Sequence, residues 1–324
     1  MNTHGRIAIL AGGWLALACP CPAQVSLSGG NLGYTSFMDG FGMPGFYSDQ
    51  YLYFTHADSF RDAGGDKLPG HNQMHNLMIM PNFKYIFAEP TVFGAWPGVD
   101  ISVPILLDLK VDTERVSENE TNIGDVFLGF MLQFPEKKVW GRFPFYQRME
   151  ILTKFPTGHY GSNDYVNAGN NAYAINPYYA CTMFLNRNVE VSVRLFYKWT
   201  STNDDPPPIP SPEWDREKDP QNPIFADDIQ EGEAVWANYA VSYGVTDRLR
   251  LGVNGYGLQM ISNHKIDGHE IPDSKEKVFA IGPGAMYISR DRKDIWYLNG
   301  YHEAYVENRA KNDLVFVWRW VHAF

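Results

Sequence analysis

The segment Val315-Phe316-Val317-Trp318-Arg319-Trp320-Val321-His322-Ala323-Phe324 alternates without a break. Side chains switch face at every residue of a strand. Phe316, Trp318, Trp320, His322 and Phe324 therefore share one face, and Val315, Val317, Arg319, Val321 and Ala323 the other. A soluble sandwich can bury such a strand. A barrel in an outer membrane accounts for it better, because the aromatic face meets lipid and the last strand closes on the first. Strands of this kind that end on an aromatic residue are also read by the outer-membrane assembly machinery, which makes the Phe324 strand the expected contact with it.

Composition narrows the class further. Aromatic residues make up 15% of the 324 residues, which is high, and the formal net charge is −10. An acidic chain is a poor partner for phosphate, so no nucleic-acid partner is expected. After residue 24 no apolar run approaches the roughly 20 residues that a spanning helix needs. A barrel passes this test, since each strand buries only alternate residues in lipid. Residues 1–23 read as a signal peptide, with Arg6, the apolar stretch Ile7 to Ala18 and Cys21-Pro22-Ala23 before Gln24. Leu17-Ala18-Cys19 offers a weaker, lipoprotein-type site, with Ala16 where such sites take Leu. The remaining residues, 24–324, form one domain. It retains a single cysteine, Cys181, which cannot close an internal disulfide.

Alternating segments separated by Gly, Pro, Asn and Asp clusters recur along the whole domain. They predict an all-β fold, a single antiparallel transmembrane β-barrel of about 12 strands. The strands fall near 45–56, 76–87, 97–108, 121–134, 146–157, 173–185, 189–200, 233–244, 249–262, 277–289, 295–306 and 313–324. If the carboxyl terminus is periplasmic, the connections 186–188, 245–248 and 290–294 are short periplasmic turns. Those at 57–75, 109–120, 158–172, 201–232 and 263–276 are long external loops, the asymmetry such barrels show. Two connections break the rule: 307–312 is short and 135–145 is long. The loop 201–232 holds Pro206, Pro207, Pro208, Pro210, Pro212, Pro220 and Pro223 and cannot pair in a sheet. It reads as an external loop, with an inward constriction as the other reading.

The strand at 189–199 is the cleanest. Val189, Val191, Val193, Leu195, Tyr197 and Trp199 suit lipid, while Glu190, Ser192, Arg194, Phe196 and Lys198 face inward. An Arg or Lys at the lipid midplane costs about 2–4 kcal/mol, so strand charges are expected inside. The expected lumen-lining groups are Lys84, Arg148, Lys154, Arg194, Lys198 and Arg319 against Asp100, Asp108, Asp125, Glu150, Glu190 and Glu303. Such a balance points first to ion pairs that fill the barrel and second to a polar permeation path. In 45–56 neither face wins. Pro81, Pro104, Pro177 and Pro283 fall inside strands, where each removes a ladder hydrogen bond. Bulges or kinks are expected there, and a kinked wall can open sideways toward lipid.

No catalytic, cofactor or metal residue stands out. His56, His71, His75, His159, His264, His269, His302 and His322 show no recognisable spacing to a serine, and Gly-x-Ser-x-Gly is absent. His71 and His75 are four apart but follow Pro69-Gly70, so loop character outweighs a metal-binding helix.

Several stretches resemble an outer-membrane family labelled for the meta-pathway of phenol degradation. They are Gly30-Asn31-Leu32-Gly33-Tyr34-Thr35-Ser36-Phe37-Met38-Asp39-Gly40, then Phe155-Pro156-Thr157-Gly158-His159-Tyr160, Asn167 to Tyr173, Gly252 to Gln259 and Gly282-Pro283-Gly284-Ala285-Met286-Tyr287. Each is weak alone, but their order and spacing together are specific. The resemblance implies a Gram-negative outer-membrane barrel that admits small hydrophobic or aromatic compounds without an energy source. It carries over no catalytic residue. A structural or adhesive barrel with a plugged lumen is the alternative, and a barrel enzyme acting on lipid is the weakest reading.

Overall fold

The computed structural model describes residues 30–91, 93–114, 116–207 and 226–324. The expected signal peptide, with Cys19, and residues 208–225 of the Pro-rich loop lie outside the described residues. Twelve antiparallel strands, rich in the β-branched and aromatic residues that suit a pleated surface, build one closed barrel. They are β1 (Gly45–Phe60), β2 (Asn72–Ile86), β3 (Trp96–Ser102, continuing as Ile105–Thr113), β4 (Ser117–Glu120, continuing as Val126–Val139), β5 (Phe143–Phe155) and β6 (Ala174–Phe184). β7 (Val189–Thr200), β8 (Ala234–Gly244), β9 (Leu249–Met260), β10 (Lys277–Ile288), β11 (Asp294–Glu307) and β12 (Ala310–Ala323) complete it. β1 pairs with β2 on one side and with β12 on the other, from Tyr47 opposite Ala323 to Phe60 opposite Ala310. Closure gives each of the twelve strands a neighbour on both sides, as a lipid environment demands.

The two faces separate as the alternation predicts. Val315 and Val317 are fully buried inside, whereas Phe130, Ile151, Leu195, Val241, Leu251, Leu298 and Phe324 lie exposed on the outer wall. An aromatic cluster of Phe46, Phe83, His322 and Phe324 sits on the outside near the carboxyl-terminal end. This wide apolar outer belt around a charged interior makes the chain an outer-membrane β-barrel.

The connections are short at one end and mostly long at the other. The segment 135–145 differs from expectation. β4 runs to Val139 and β5 resumes at Phe143, joined by a tight turn in which Trp140 and Gly141 have positive φ. Pro135 is absorbed by a register shift between Phe134 and Lys137, and Pro144 pairs with Lys138 near the strand end. The 307–312 connection is also tighter than expected, a two-residue turn with Asn308 in the left-handed region. At the loop end, Ile229–Gln230, Lys265–Ile266 and His269–Glu270 form a small separate sheet from two external loops.

The in-strand prolines act differently from one another. Register runs unbroken through Pro81, Pro177 and Pro283, each of which loses ladder pairs on one side. Only at Pro104 does a strand divide. The shifts of register fall at or near Ala57, Leu77, Pro135 and Phe279 instead.

Candidate functional site

The lumen is occupied by the chain's own residues 30–44, which precede β1. Their backbone is pinned to the wall at many points. Gly33 N–H donates to Asn238 Oδ1 at 3.0 Å, and Asn238 Nδ2 donates to the Asn31 carbonyl at 2.7 Å. Tyr301 hydroxyl donates to the Gly33 carbonyl at 2.7 Å, and Gly40 N–H to Thr182 Oγ1 at 2.9 Å. Gln133 Nε2 donates to the Gly40 carbonyl at 3.0 Å. Phe37 is fully buried among Ala240, Met286 and Tyr297, a burial of the kind that contributes roughly 1.5–3 kcal/mol. The glycines are sterically required. A Cβ on Gly33, whose φ is +74°, would meet the Tyr301 ring at 2.8 Å, and one on Gly40 would meet the Thr182 nitrogen at 2.6 Å.

Asp39 is the electrostatic anchor of this plug. Arg194 donates to both of its carboxylate oxygens, through Nε at 2.7 Å and through a second, closer nitrogen. Arg148 donates to its carbonyl at 3.1 Å. Burial alone would raise the Asp39 carboxyl, but Arg194, helped by Arg148, outweighs it and holds the group below the ordinary carboxylate range.

Of the charges expected in the lumen, all but Asp108 lie around this plug, on strands or, for Asp125, just before Val126. Arg319 grips Asp49 with two bonds of 2.8 and 2.7 Å, and Lys84 adds a third at 3.0 Å. Arg148 and Glu150 meet at the Tyr178 hydroxyl, and Asp100 faces Glu150 across Gly129, where any side chain would collide with both carboxyls. Lys154 pairs with Asp125 at 3.1 Å, and Lys198 with Glu231 at 2.5 Å. Glu190 accepts from Ser192 and Ser242, both at 2.7 Å, while Glu303 accepts from Tyr256 at 2.7 Å and from the Asn312 N–H at 2.6 Å. Asp108 is the exception: a register shift between Leu77 and Met78 sets it opposite Leu77 on the outward face, where it is half exposed and lies within 2.9 Å of His75 on β2.

The pairing differs from a simple match of the expected cations to the expected acids. Three partner carboxylates, Asp39, Asp49 and Glu231, were not in the expected set. Asp39 and Glu231 lie outside any strand. Asp49 lies on β1, where tyrosines point inward and mask the period. Its place could have been found from Tyr47, Asp49, Tyr51 and Tyr53, which share one parity. The long loop at 156–173 is drawn over the outer mouth because Asp125 accepts the Gly158 N–H at 2.9 Å and the Asn170 N–H at 3.0 Å.

Among the described residues, two cavities lie on opposite sides of the plug with no lining residue in common. The outer one, about 130 Å³, is bounded by Leu32 and Tyr34 of the plug with Tyr53, Met74, Met78, Met80, Leu106, Phe127 and Leu152. Lys154, Asp125 and Arg309 lie at its polar side. The inner vestibule, about 570 Å³, is strongly basic, with Lys84, Arg148, Arg187, Arg250, Arg292, Lys293 and Arg319 against Asp39 and Asp247. Thr35, Ser36 and Phe37, each almost wholly buried, separate the two.

Among the external loops, His264 is partly buried and accepts the Gly232 N–H on Nδ1 at 3.3 Å, which requires an unprotonated nitrogen there. Burial lowers its pKa. A histidine depressed on folding contributes its stability above the ordinary value near 6.5 and loses it as pH falls through that range. Acidification from pH 7.5 to 5.5 is therefore expected to increase protease cleavage of the external segments 226–233 and 261–276. His264→Gln should remove most of that pH dependence.

Comparison with known structures places the same fold in an outer-membrane channel from Pseudomonas putida F1. It has 16% identity and a TM-score of 0.72, with 90% of this chain and 99% of that chain covered. The Pseudomonas putida toluene transporter TodX matches with 8% identity and a TM-score of 0.45, covering 91% of this chain and 96% of that one. The monoaromatic hydrocarbon channel CymD matches with 9% identity and a TM-score of 0.44, covering 87% and 89%. No curated protein matches the sequence significantly. Residues 57–320 match a family profile, most of the chain, and the protein thus belongs to the family described as "Putative MetA-pathway of phenol degradation".

Proposed function

We propose that the protein is a passive outer-membrane channel for small hydrophobic or aromatic compounds. The observation that carries this reading is the outer chamber. Its volume of about 130 Å³ and its walls of methionine, leucine and aromatic rings suit a single-ring solute. Apolar cavities of about 150 Å³ bind benzene, and thioethers make favourable contacts with ring edges. The family description and the fold shared with an outer-membrane channel support it. On this reading Lys84, Asp100, Asp125, Arg148, Glu150, Lys154, Glu190, Arg194, Lys198, Glu303 and Arg319 line the lumen and hold the plug rather than contact the solute over its whole route. Cells carrying the gene should accumulate a radiolabelled aromatic faster than cells lacking it, and equal rates would sink the proposal.

A second reading, a structural barrel with a permanently closed lumen, is favoured by one observation, the many bonds that pin residues 30–44. Single-channel recording separates the two. Discrete steps favour the channel; silence at all voltages favours the structural barrel.

Assembly of the barrel belongs to the same reading. Phe324 is 68% exposed on the outer wall and packs on Phe46 and His322. We infer that the assembly machinery reads this strand. Removal of Phe324 is expected to reduce the folded barrel in the outer membrane several-fold, measured as the heat-modifiable band on gels, while refolding in detergent proceeds normally.

A further inference from the structure

We propose that a groove at the periplasmic rim, between the β4–β5 turn and the β6–β7 turn, is a binding site for the headgroup of an anionic phospholipid of the inner leaflet. The proposal rests on the barrel and on its short-turn end being periplasmic, and it is independent of the solute.

The groove follows from a proline. β5 and β6 pair from Lys154 opposite Ala174 down to Phe145 opposite Met183, and there the ladder stops. The next residue of β5 is Pro144, which has no N–H to give. Beyond it the two strand ends are unpaired, and a groove of about 530 Å³ lies there. Phe143, Pro144, Tyr146, Phe184 and Leu185 form its walls, and Arg142 and Arg187 supply its charge. Phe143 and Leu185 share the outward parity of Ile151 and Ile175, both exposed on the outer wall. That side of the groove is thus continuous with the lipid-facing surface. The inward side is fixed from behind. Tyr146 packs edge-on against Phe184, with ring centres 6.0 Å apart, and against Phe41 of the plug at 5.1 Å.

Charge decides the occupant. Neither Arg142 nor Arg187 has a carboxylate partner among the described residues. Arg142 lies over the Phe143 ring, 4.9 Å from its centre, with its side-chain N–H donors unspent on the protein. Glu136, the acid of this hairpin, accepts the Tyr146 hydroxyl, while Lys137 and Lys138 beside it add to the positive field. Two arginines from adjacent turns suit a phosphodiester, which guanidinium groups bind through paired N–H donors. The hydrocarbon beside that phosphate lies on Phe143 and Leu185. A soluble anion uses only the arginines, and a zwitterionic lipid brings an ammonium group toward four cations. Lipopolysaccharide phosphates sit at the opposite face of the membrane. The level fits as well. Trp140 just after β4, Tyr243 on β8 and Tyr287 on β10 are all exposed at this end. They mark the aromatic girdle at the membrane interface, where lipid phosphates lie.

Lipid retention tests the site. The full barrel, refolded in detergent, is titrated with dioleoyl-phosphatidylglycerol or dioleoyl-phosphatidylethanolamine, and bound lipid is counted by native mass spectrometry. Phosphatidylglycerol is expected to bind, and phosphatidylethanolamine much less. Arg142→Gln or Arg187→Gln should each weaken phosphatidylglycerol binding about five-fold, and the pair together by more than about ten-fold, the effect expected of basic side chains near a lipid surface. Leu185→Asn, which keeps both arginines, should also weaken it, because the apolar wall is lost. Arg290→Gln, in the β10–β11 turn, makes the same charge change outside the groove and is expected to alter nothing. All four residues are exposed at the rim, and the heat-modifiable gel band checks that each variant is folded. Equal phosphatidylglycerol binding by the wild type and the double variant overturns the proposal. An equal loss in Arg290→Gln also overturns it, since the attraction would then belong to the whole rim. Displacement of the lipid by millimolar inorganic phosphate overturns the lipid assignment and leaves a site for a free anion.

Discussion

Asp39→Ala should convert a barrel that conducts little into one with large, long-lived openings that favour anions. The Asp39 carboxylate is the charge that Arg194 grips with two bonds and that Arg148 approaches through the neighbouring carbonyl. Removing one partner of a buried ion pair typically costs about 3–5 kcal/mol, because the remaining charge is left dry. Here the protein has a cheaper way out. The plug precedes the first strand, so residues 30–44 can leave the lumen and let water reach Arg194 and Arg148. The loss therefore appears as plug release more than as unfolding, and the exposed guanidiniums join an already basic inner vestibule. Planar-bilayer recording measures both step size and reversal potential. Asp39→Asn, which keeps the shape and loses the charge, should give shorter openings. Arg194→Ala should resemble Asp39→Ala in step size with weaker anion preference. The double variant should lose far less than the sum of the two singles if the pair acts as a unit. Wild-type conductance in Asp39→Ala would mean that Phe37 and the backbone bonds hold the plug unaided.

The barrel was legible wherever one face was plainly apolar and the other plainly polar. β7 and β12 are of this kind: their inward Glu190, Arg194 and Lys198, and Arg319, are set off by valine and aromatic residues. β1 defeated the same test because both of its faces are apolar. Tyr53 points into the chamber beside Met74, Met78 and Met80 of β2, while Leu52 and Phe54 face out. A period-2 pattern depends on contrast between faces, and a lumen that holds an apolar chamber removes it. The plug was invisible for another reason. Residues 30–44 have no period, and their glycines answer to close approach of the Tyr301 ring and the β6 backbone, contacts that arise only once the barrel exists. The tight turn at Trp140 and Gly141 was hidden by Pro135 and Pro144, which read as strand breakers until a register shift accommodates the first and a strand end the second.

Asp49→Ala should bring the largest loss of stability in the barrel wall. Asp49 is fully buried on β1, between β12 and β2, where the sheet closes on itself. Its two oxygens take both bonds from Arg319, one from Lys84 at 3.0 Å and one from the Tyr51 hydroxyl at 3.1 Å. Without it two cations face each other across the closure with no counter-charge, and about 3–5 kcal/mol of stability is expected to go. Unlike Asp39, Asp49 lies within a strand and cannot leave, so the cost falls on the closed barrel itself. The temperature at which the compact gel band converts to the unfolded one should drop by many degrees. Asp49→Asn should sit between the two, since the amide still accepts from one donor but carries no charge. Asp49→Leu combined with Arg319→Met should recover part of the loss, because an apolar pair of similar volume removes the buried charge along with its partner; Lys84, 13% exposed at its side chain, can turn toward the vestibule it already lines. If Asp49→Ala unfolds at the wild-type temperature, the closure is held by the β1–β12 backbone ladder and its valines, and the ion cluster serves only to fix where the plug can dock.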